Sequence, residues 1–233
     1  MNKHLLPASI LIAAVLISGS VLYSSGVKKQ PASLIDSNKN EAPEVLLQQN
    51  DEDFVLGDKN APVTVVVYSD PSCPFCGAAA GENKEVMDYL KQNDPTWTAP
   101  IPGLIDNYIN SGKAKLIFRY YPGHGTGELS MGYLYCANEQ GKFWELHNEF
   151  FANQNSIDNK SVLSALAGSV GLDAAKLNSC LEKGDYTAKL KSDVESGRAV
   201  GVKGTPAFFV NGQKFEGAYS FATFKLVIDE LLK

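Results

Sequence analysis

Two cysteines separated by two residues, Cys73-Pro74-Phe75-Cys76, are the residues of this chain best suited to chemistry. Thiols at that spacing can close a reversible disulfide. The thiolate is the species that attacks other disulfides, and it is favoured where unpaired backbone N–H groups and a helix dipole meet the sulfur. Pro74 marks such a helix start, because its missing N–H costs nothing in a first turn. The same spacing also supplies half of a tetrahedral zinc site. Which chemistry it serves depends on the elements around it.

Ahead of the motif, Val63-Thr64-Val65-Val66-Val67-Tyr68 is a continuous, β-branched apolar run that predicts a strand buried on both faces. After it, the pattern predicts one helix from Pro74 to about Gln92, with Val86, Met87 and Leu90 facing inward, ended by Asn93-Asp94-Pro95. Residues 93–103, with Pro95, Pro100 and Pro102, read as a loop, and Leu104 to Asn110 as a short helix stopped by Ser111-Gly112. Lys115 to Tyr121 predicts a second core strand. From about Gly127 to Val200 the periodicity is helical, with Phe143, His147, Phe150 and Phe151 on one face and Leu177, Cys180 and Leu181 on another. Ala207 to Val210, Asn211-Gly212 and Gln213 to Gly217 form a hairpin signal, and Phe221 to Leu232 a closing amphipathic helix. This order describes an α/β fold, a small mixed sheet flanked by helices, with a helical subdomain inserted at about residues 125–200.

The amino end sets the compartment. Leu5 to Tyr23 carries no formal charge and is about long enough to cross a bilayer as a helix. Lys3 ahead of it, with no comparable basic cluster until Lys28-Lys29 behind, favours an amino terminus in the cytoplasm and a body outside. Residues 1–23 are read as an uncleaved membrane anchor, with a signal segment cut near Ser18 or Ser20 as the alternative. Residues 24–50 are polar and Pro-interrupted, a flexible tether, and residues 51–233 form one domain. Either export reading places the thiols where disulfides persist. A net charge of −5 gives no sign of a nucleic-acid surface.

The strand, the Cys73-Pro74-Phe75-Cys76 helix start and, far downstream, Gly204-Thr205-Pro206 before a hairpin and a last helix together resemble the thioredoxin superfamily. With the helical block inserted before Thr205-Pro206, the chain is similar to DsbA-like thiol-disulfide oxidoreductases over roughly residues 53–233. The resemblance implies a thioredoxin fold and a set of roles. Cys73 would be an exposed nucleophile, Cys76 a buried resolving thiol, and Pro74 and Phe75 the dipeptide that tunes the potential. Thr205 and Pro206 would form the substrate-facing loop, with Pro206 in a cis peptide. The redox-active disulfide would be the electron carrier, with no other cofactor and no metal. The partners implied are exported proteins with cysteines and a membrane or soluble protein that resets the pair.

The expected activity is donation of disulfides to exported proteins, in a cell-envelope location anchored by the N-terminal segment, or secreted or periplasmic if that segment is removed. A Cys73 shift from about 8.5 to about 5 would stabilise the thiolate by roughly 5 kcal/mol, which makes the disulfide a stronger oxidant. Two positions depart from the family pattern. Phe75 stands where the strongest oxidants carry a histidine, and Val67 where the family often carries a buried acid. Phe75 and Thr205 suit a reductase or isomerase as well, and a non-catalytic metal-binding thioredoxin-like module is a further reading. The loop at 93–103 either shapes a partner groove or is a surface insertion.

Cys136 and Cys180 fall on apolar faces of two predicted helices and, in an exported chain, read as a structural disulfide rather than free thiols. A four-thiolate zinc site is the lesser alternative. His147 reads as a hydrogen-bonded core histidine, and His124 as a solvated loop residue in Pro122-Gly123-His124-Gly125.

Overall fold

A computed structural model of the chain describes residues 44–123, 125 and 127–233. The apolar segment at 5–23, most of the tether and His124 lie outside the described residues. Among those described, no helix is long and apolar enough to cross a membrane.

One sheet organises the domain. Its strands are β1 (Phe54–Leu56), β2 (Val63–Ser69), β3 (Ala114–Tyr120), β4 (Ala207–Val210) and β5 (Gln213–Glu216), in the order β1-β3-β2-β4-β5. β2 runs parallel to β3, and the other pairs are antiparallel. Because successive strand side chains point to opposite faces, the β-branched run of β2 feeds two cores at once. Val63, Val65 and Val67 pack with Leu104, Ile109, Phe224 and Ile228 on one side. Val66 and Tyr68 pack with Leu47, Val200 and Val202 on the other. The β4–β5 turn is made by Asn211 and Gly212, both at positive φ (43° and 91°), the conformation that a two-residue turn of this hand requires.

The helices are α1 (Glu44–Leu47), α2 (Pro74–Ala80), α3 (Lys84–Asn93), α4 (Pro100–Leu104), α5 (Gly127–Asn138), α6 (Phe143–Ala152), α7 (Lys160–Ser169), α8 (Ala174–Lys183), α9 (Tyr186–Ala199) and α10 (Phe221–Leu231). Three expectations change. The helix expected from Pro74 to Gln92 is two helices. Gly81 ends the first in a left-handed conformation (φ 90°), and the Asn83 side chain starts the second by accepting from the Val86 N–H. Val86, Met87 and Leu90 are accordingly half-buried rather than core. The 93–103 loop ends early, because Pro100 opens α4, which continues into a π-helical turn at Ile105–Ile109. Prolines in a first turn forfeit N–H groups that have no intrahelical partner anyway. Finally, β1 is an added edge strand that the short, half-buried Phe54–Leu56 does not announce.

Helices α5 to α9 fill the chain between β3 and β4. Cys136 on α5 and Cys180 on α8 are joined by a disulfide, 44 residues apart in sequence. Bonded to each other, they are not available as thiolate ligands. The Cys136→Ala/Cys180→Ala variant is expected to lose about 3 kcal/mol in urea unfolding, under the ~4 kcal/mol that loop-closure entropy allows for this length.

His147 is buried among the rings of Phe118, Phe143, Trp144 and Phe151, with Nδ1 bonded to the Asn148 side chain at 3.0 Å. Burial pushes its pKa down to about 4. The unfolded chain therefore takes up a proton near pH 6.5 that the folded chain refuses until about pH 4. The stability that depends on neutral His147 is complete above pH 6.5 and declines as pH falls toward 4, by roughly 3 kcal/mol in all. His147→Phe is expected to flatten that part of the acid limb, measured as urea midpoints between pH 7 and pH 4.5.

Candidate active site

Cys73 sits where β2 turns into α2. Asp70 builds that turn: its carbonyl accepts the Cys73 N–H at 3.0 Å, and its Oδ1 accepts the Ser72 N–H at 2.8 Å and the Ser72 hydroxyl at 2.7 Å. Its other carboxylate oxygen accepts the Gly123 N–H at 2.6 Å, which ties the turn to the segment leaving β3. Cys73 is the residue before the first helical position, in extended conformation (φ −82°, ψ 119°), and Pro74 takes that first position. The first free N–H groups of α2 thus belong to Phe75 and Cys76.

The two thiols are unbonded to each other in this structure and differ sharply. A hydrogen bond with the Cys76 thiol does most to pull the Cys73 pKa down, to about 6, against the opposing effect of burial. The N–H groups of Cys76 and Phe75 add to it. Burial pushes Cys76 well above the usual thiol range, and its bond to Cys73 raises it further. One sulfur is therefore mostly thiolate at neutral pH and its neighbour is a proton-bearing thiol. That is the asymmetry disulfide exchange needs.

Thr205-Pro206 is a cis peptide directly against this pair. In its protonated form the Cys73 thiol donates to the Thr205 carbonyl at 3.3 Å. The Thr205 hydroxyl is buried without a hydrogen-bond partner among the described residues. Pro206 is buried too, and its carbonyl accepts the Gly217 N–H at 2.8 Å, which anchors the loop to the far end of the hairpin.

Cys73 is not the exposed residue expected from sequence; its relative exposure is 0%. The cover comes from distant chain. A Cβ at Gly123 would lie 2.4 Å from Thr205 Oγ1 and 3.1 Å from Cys73 Cβ, so any side chain here would displace Thr205 or Cys73. Gly127 is equally constrained, since a Cβ there would lie 1.8 Å from Asp70 Oδ1. Of the motif's side chains it is Phe75, at 39%, that faces solvent, while Pro74 is half-buried.

Asp70, Gly123 and Gln154 belong to the site and were not singled out by sequence. The turn chemistry of Asp70-Pro71-Ser72 could have pointed to the first. Gln154, in a single 3₁₀ turn after α6, donates from Nε2 to the carbonyls of Pro71 and Cys73, both at 2.8 Å. Cys136 and Cys180 pair elsewhere, within the helical block.

Set beside known proteins, the chain matches a family model described as thioredoxin over residues 49–92 and 96–230. It is 28% identical over 173 residues to the Na(+)/H(+) antiporter NhaA 3 of Salinispora tropica, covering 73% of this chain and 23% of that protein. The chain thus spans about a quarter of the length of the antiporters it matches. It is 24% identical over 232 residues to the probable disulfide bond formation protein D of Bacillus cereus, covering 95% of this chain and 93% of that one. The crystal structure of alpha-DsbA1 from Wolbachia pipientis superposes with a TM-score of 0.67 at 22% identity, covering 81% of this chain and 94% of that chain.

Proposed function

Because the chain belongs to the thioredoxin family, we propose that it is a DsbA-like, extracytoplasmic thiol-disulfide oxidoreductase that introduces disulfides into exported proteins. The observation that carries this reading is the unequal thiol pair, a lowered Cys73 beside a raised Cys76 at a cis-proline loop. The near full-length likeness to a probable disulfide bond formation protein supports it. The apolar stretch Leu5 to Tyr23 supports an extracytoplasmic domain held at the membrane.

The chemistry balances on the cysteine pair alone. In the oxidised protein a substrate thiolate attacks Cys73 Sγ, the Cys73–Cys76 bond breaks, and the departing Cys76 sulfur takes a proton. Its raised pKa makes that protonation favourable. A second substrate thiolate then attacks the substrate sulfur of the mixed disulfide and Cys73 leaves as a thiolate. Two electrons have passed from substrate to protein, and a redox partner must remove them. Because Gly123 and Thr205 cover Cys73, attack follows a local parting of those contacts.

The magnitude of the shift bears on direction. At pH 7 a thiol of pKa about 6, compared with the ordinary 9, favours the dithiol state by about tenfold, equivalent to ~30 mV for two electrons. That is a moderate push toward oxidation, and the Phe75 side chain, unlike its backbone N–H, adds no hydrogen bond to it. Equilibration of the full-length protein with glutathione buffers tests the reading. A potential near that of DsbA supports disulfide donation, and one near that of thioredoxin assigns the same site to reduction.

A further inference from the structure

The helical block reaches back into the active site through one side chain. The Gln154 amide nitrogen bridges the Pro71 and Cys73 carbonyls at 2.8 Å each, and its oxygen accepts from Asn83 Nδ2 at 3.0 Å. Asn83 in turn caps α3 through its own oxygen. The orientation of the Gln154 amide follows, since a reversed amide would set three oxygens against one another. The packing is close: a Cβ at Gly77, on the buried face of α2, would come within 2.4 Å of Gln154 Oε1.

The two carbonyls flank Cys73 and converge on the same point. Without donors between them their negative ends repel, and the turn from residue 71 to 73 opens. Gln154 supplies both hydrogens, in addition to the Gly77 N–H that Cys73 O receives from within the helix at 3.0 Å. That turn sets the direction in which the Cys73 side chain leaves the backbone. We propose that Gln154 is a positioning residue for thiol-disulfide exchange, its amide clamping the backbone on both sides of Cys73 so that the sulfur stays in register with the start of α2 and with Thr205. Gln154 does not touch the reacting atoms. It acts through the backbone that aims them, and the inserted helical block thereby becomes part of the redox site. This role rests on the redox reading above.

The test uses the full-length protein, with Cys73 thiolate followed by ultraviolet absorbance against pH and the dithiol–disulfide equilibrium followed in glutathione buffers. Gln154→Leu keeps apolar bulk and removes both donors. It is expected to raise the Cys73 pKa by about one unit and to shift the equilibrium about fivefold toward the disulfide at pH 7. Gln154→Glu keeps the shape, replaces both donors with charge, and is expected to raise the pKa further. Leu163→Ala destabilises the same helical block from its buried core and is expected to lower Tm without moving either readout. Titration of both Gln154 variants within about 0.2 unit of wild type, or an equal shift in Leu163→Ala, overturns the clamp. If wild type forms the Cys73–Cys76 disulfide and the variants match it, only the positioning role fails. If wild type forms no such disulfide, the redox reading falls and the clamp with it.

Discussion

Cys73→Ser is expected to lower the rate of disulfide transfer to a reduced, unfolded substrate by on the order of 10³-fold or more. The hydroxyl that replaces the thiol cannot form a disulfide, and Cys76 cannot take over the role. Its pKa lies well above the usual thiol range, and a proton-bearing thiol is a poor nucleophile. Cys76→Ser should behave differently. Cys73 keeps the thiolate-stabilising N–H groups of Phe75 and Cys76, although it loses the Cys76 thiol that contributes most. It should therefore still be captured by disulfide reagents, now as a mixed disulfide that the protein does not resolve. Trapping of a covalent intermediate in Cys76→Ser, and its absence in Cys73→Ser, are read by non-reducing gel and mass spectrometry. Equal transfer rates for Cys73→Ser and wild type would sink the assigned roles.

The motif behind that prediction is made of residues adjacent in sequence, the part of the molecule that sequence shows best, and the resemblance supplied its roles. β2 was legible because a β-branched run has no comparable helical solution, and the β4–β5 turn because Asn211-Gly212 accepts positive φ in both positions. Pro74 located the start of α2 for the reason that proline is tolerated there. What failed were features made by contact across the chain. β1 exists through its pairing with β3, some 60 residues later, and Phe54–Leu56 carries little strand signal of its own. The cover over Cys73 is supplied by Thr205, 132 residues away, and by Gly123. Gln154 looks like any polar residue after a helix until its two carbonyl partners are in place. The split between α2 and α3 was readable, since Gly81 and Asn83 carry stop and start chemistry. There the apolar periodicity running to Leu90 concealed it.

Arg119 illustrates the same point at larger scale, and its replacement is expected to carry the largest stability cost in the domain. The guanidinium is 2% exposed, pairs with both oxygens of the fully buried Asp53 carboxylate at 2.9 and 2.8 Å, and donates to the carbonyls of Leu46 and Gln48 and to the Tyr68 hydroxyl. Burial works against its charge, and the bonds to Asp53 more than restore it, so its pKa is raised. Lys189, bonded to Asp193, lies 3.8 Å from the same Asp53 carboxylate. Arg119→Met removes every one of these donors while leaving the anion inside, where Lys189 can compensate only in part. Breaking a buried pair from one side costs about 3–5 kcal/mol, and the number of acceptors orphaned here places this variant near about 5 kcal/mol. Removing both charges, in Arg119→Met/Asp53→Leu, should recover a substantial part of that loss, because the stranded anion is the larger penalty. The site gives an independent readout. Arg119 precedes Tyr120, whose N–H is held by Asp193 at 3.1 Å, and Tyr121 N–H bonds Ser69 O at 3.0 Å, at the strand ends that lead into the Cys73 turn. Neither bond uses the Arg119 side chain, so the fraction of Arg119→Met that remains folded is expected still to titrate Cys73 near pH 6. A urea midpoint equal to wild type would show that the charge network contributes nothing net; a displaced Cys73 titration would show that it holds the site as well as the fold.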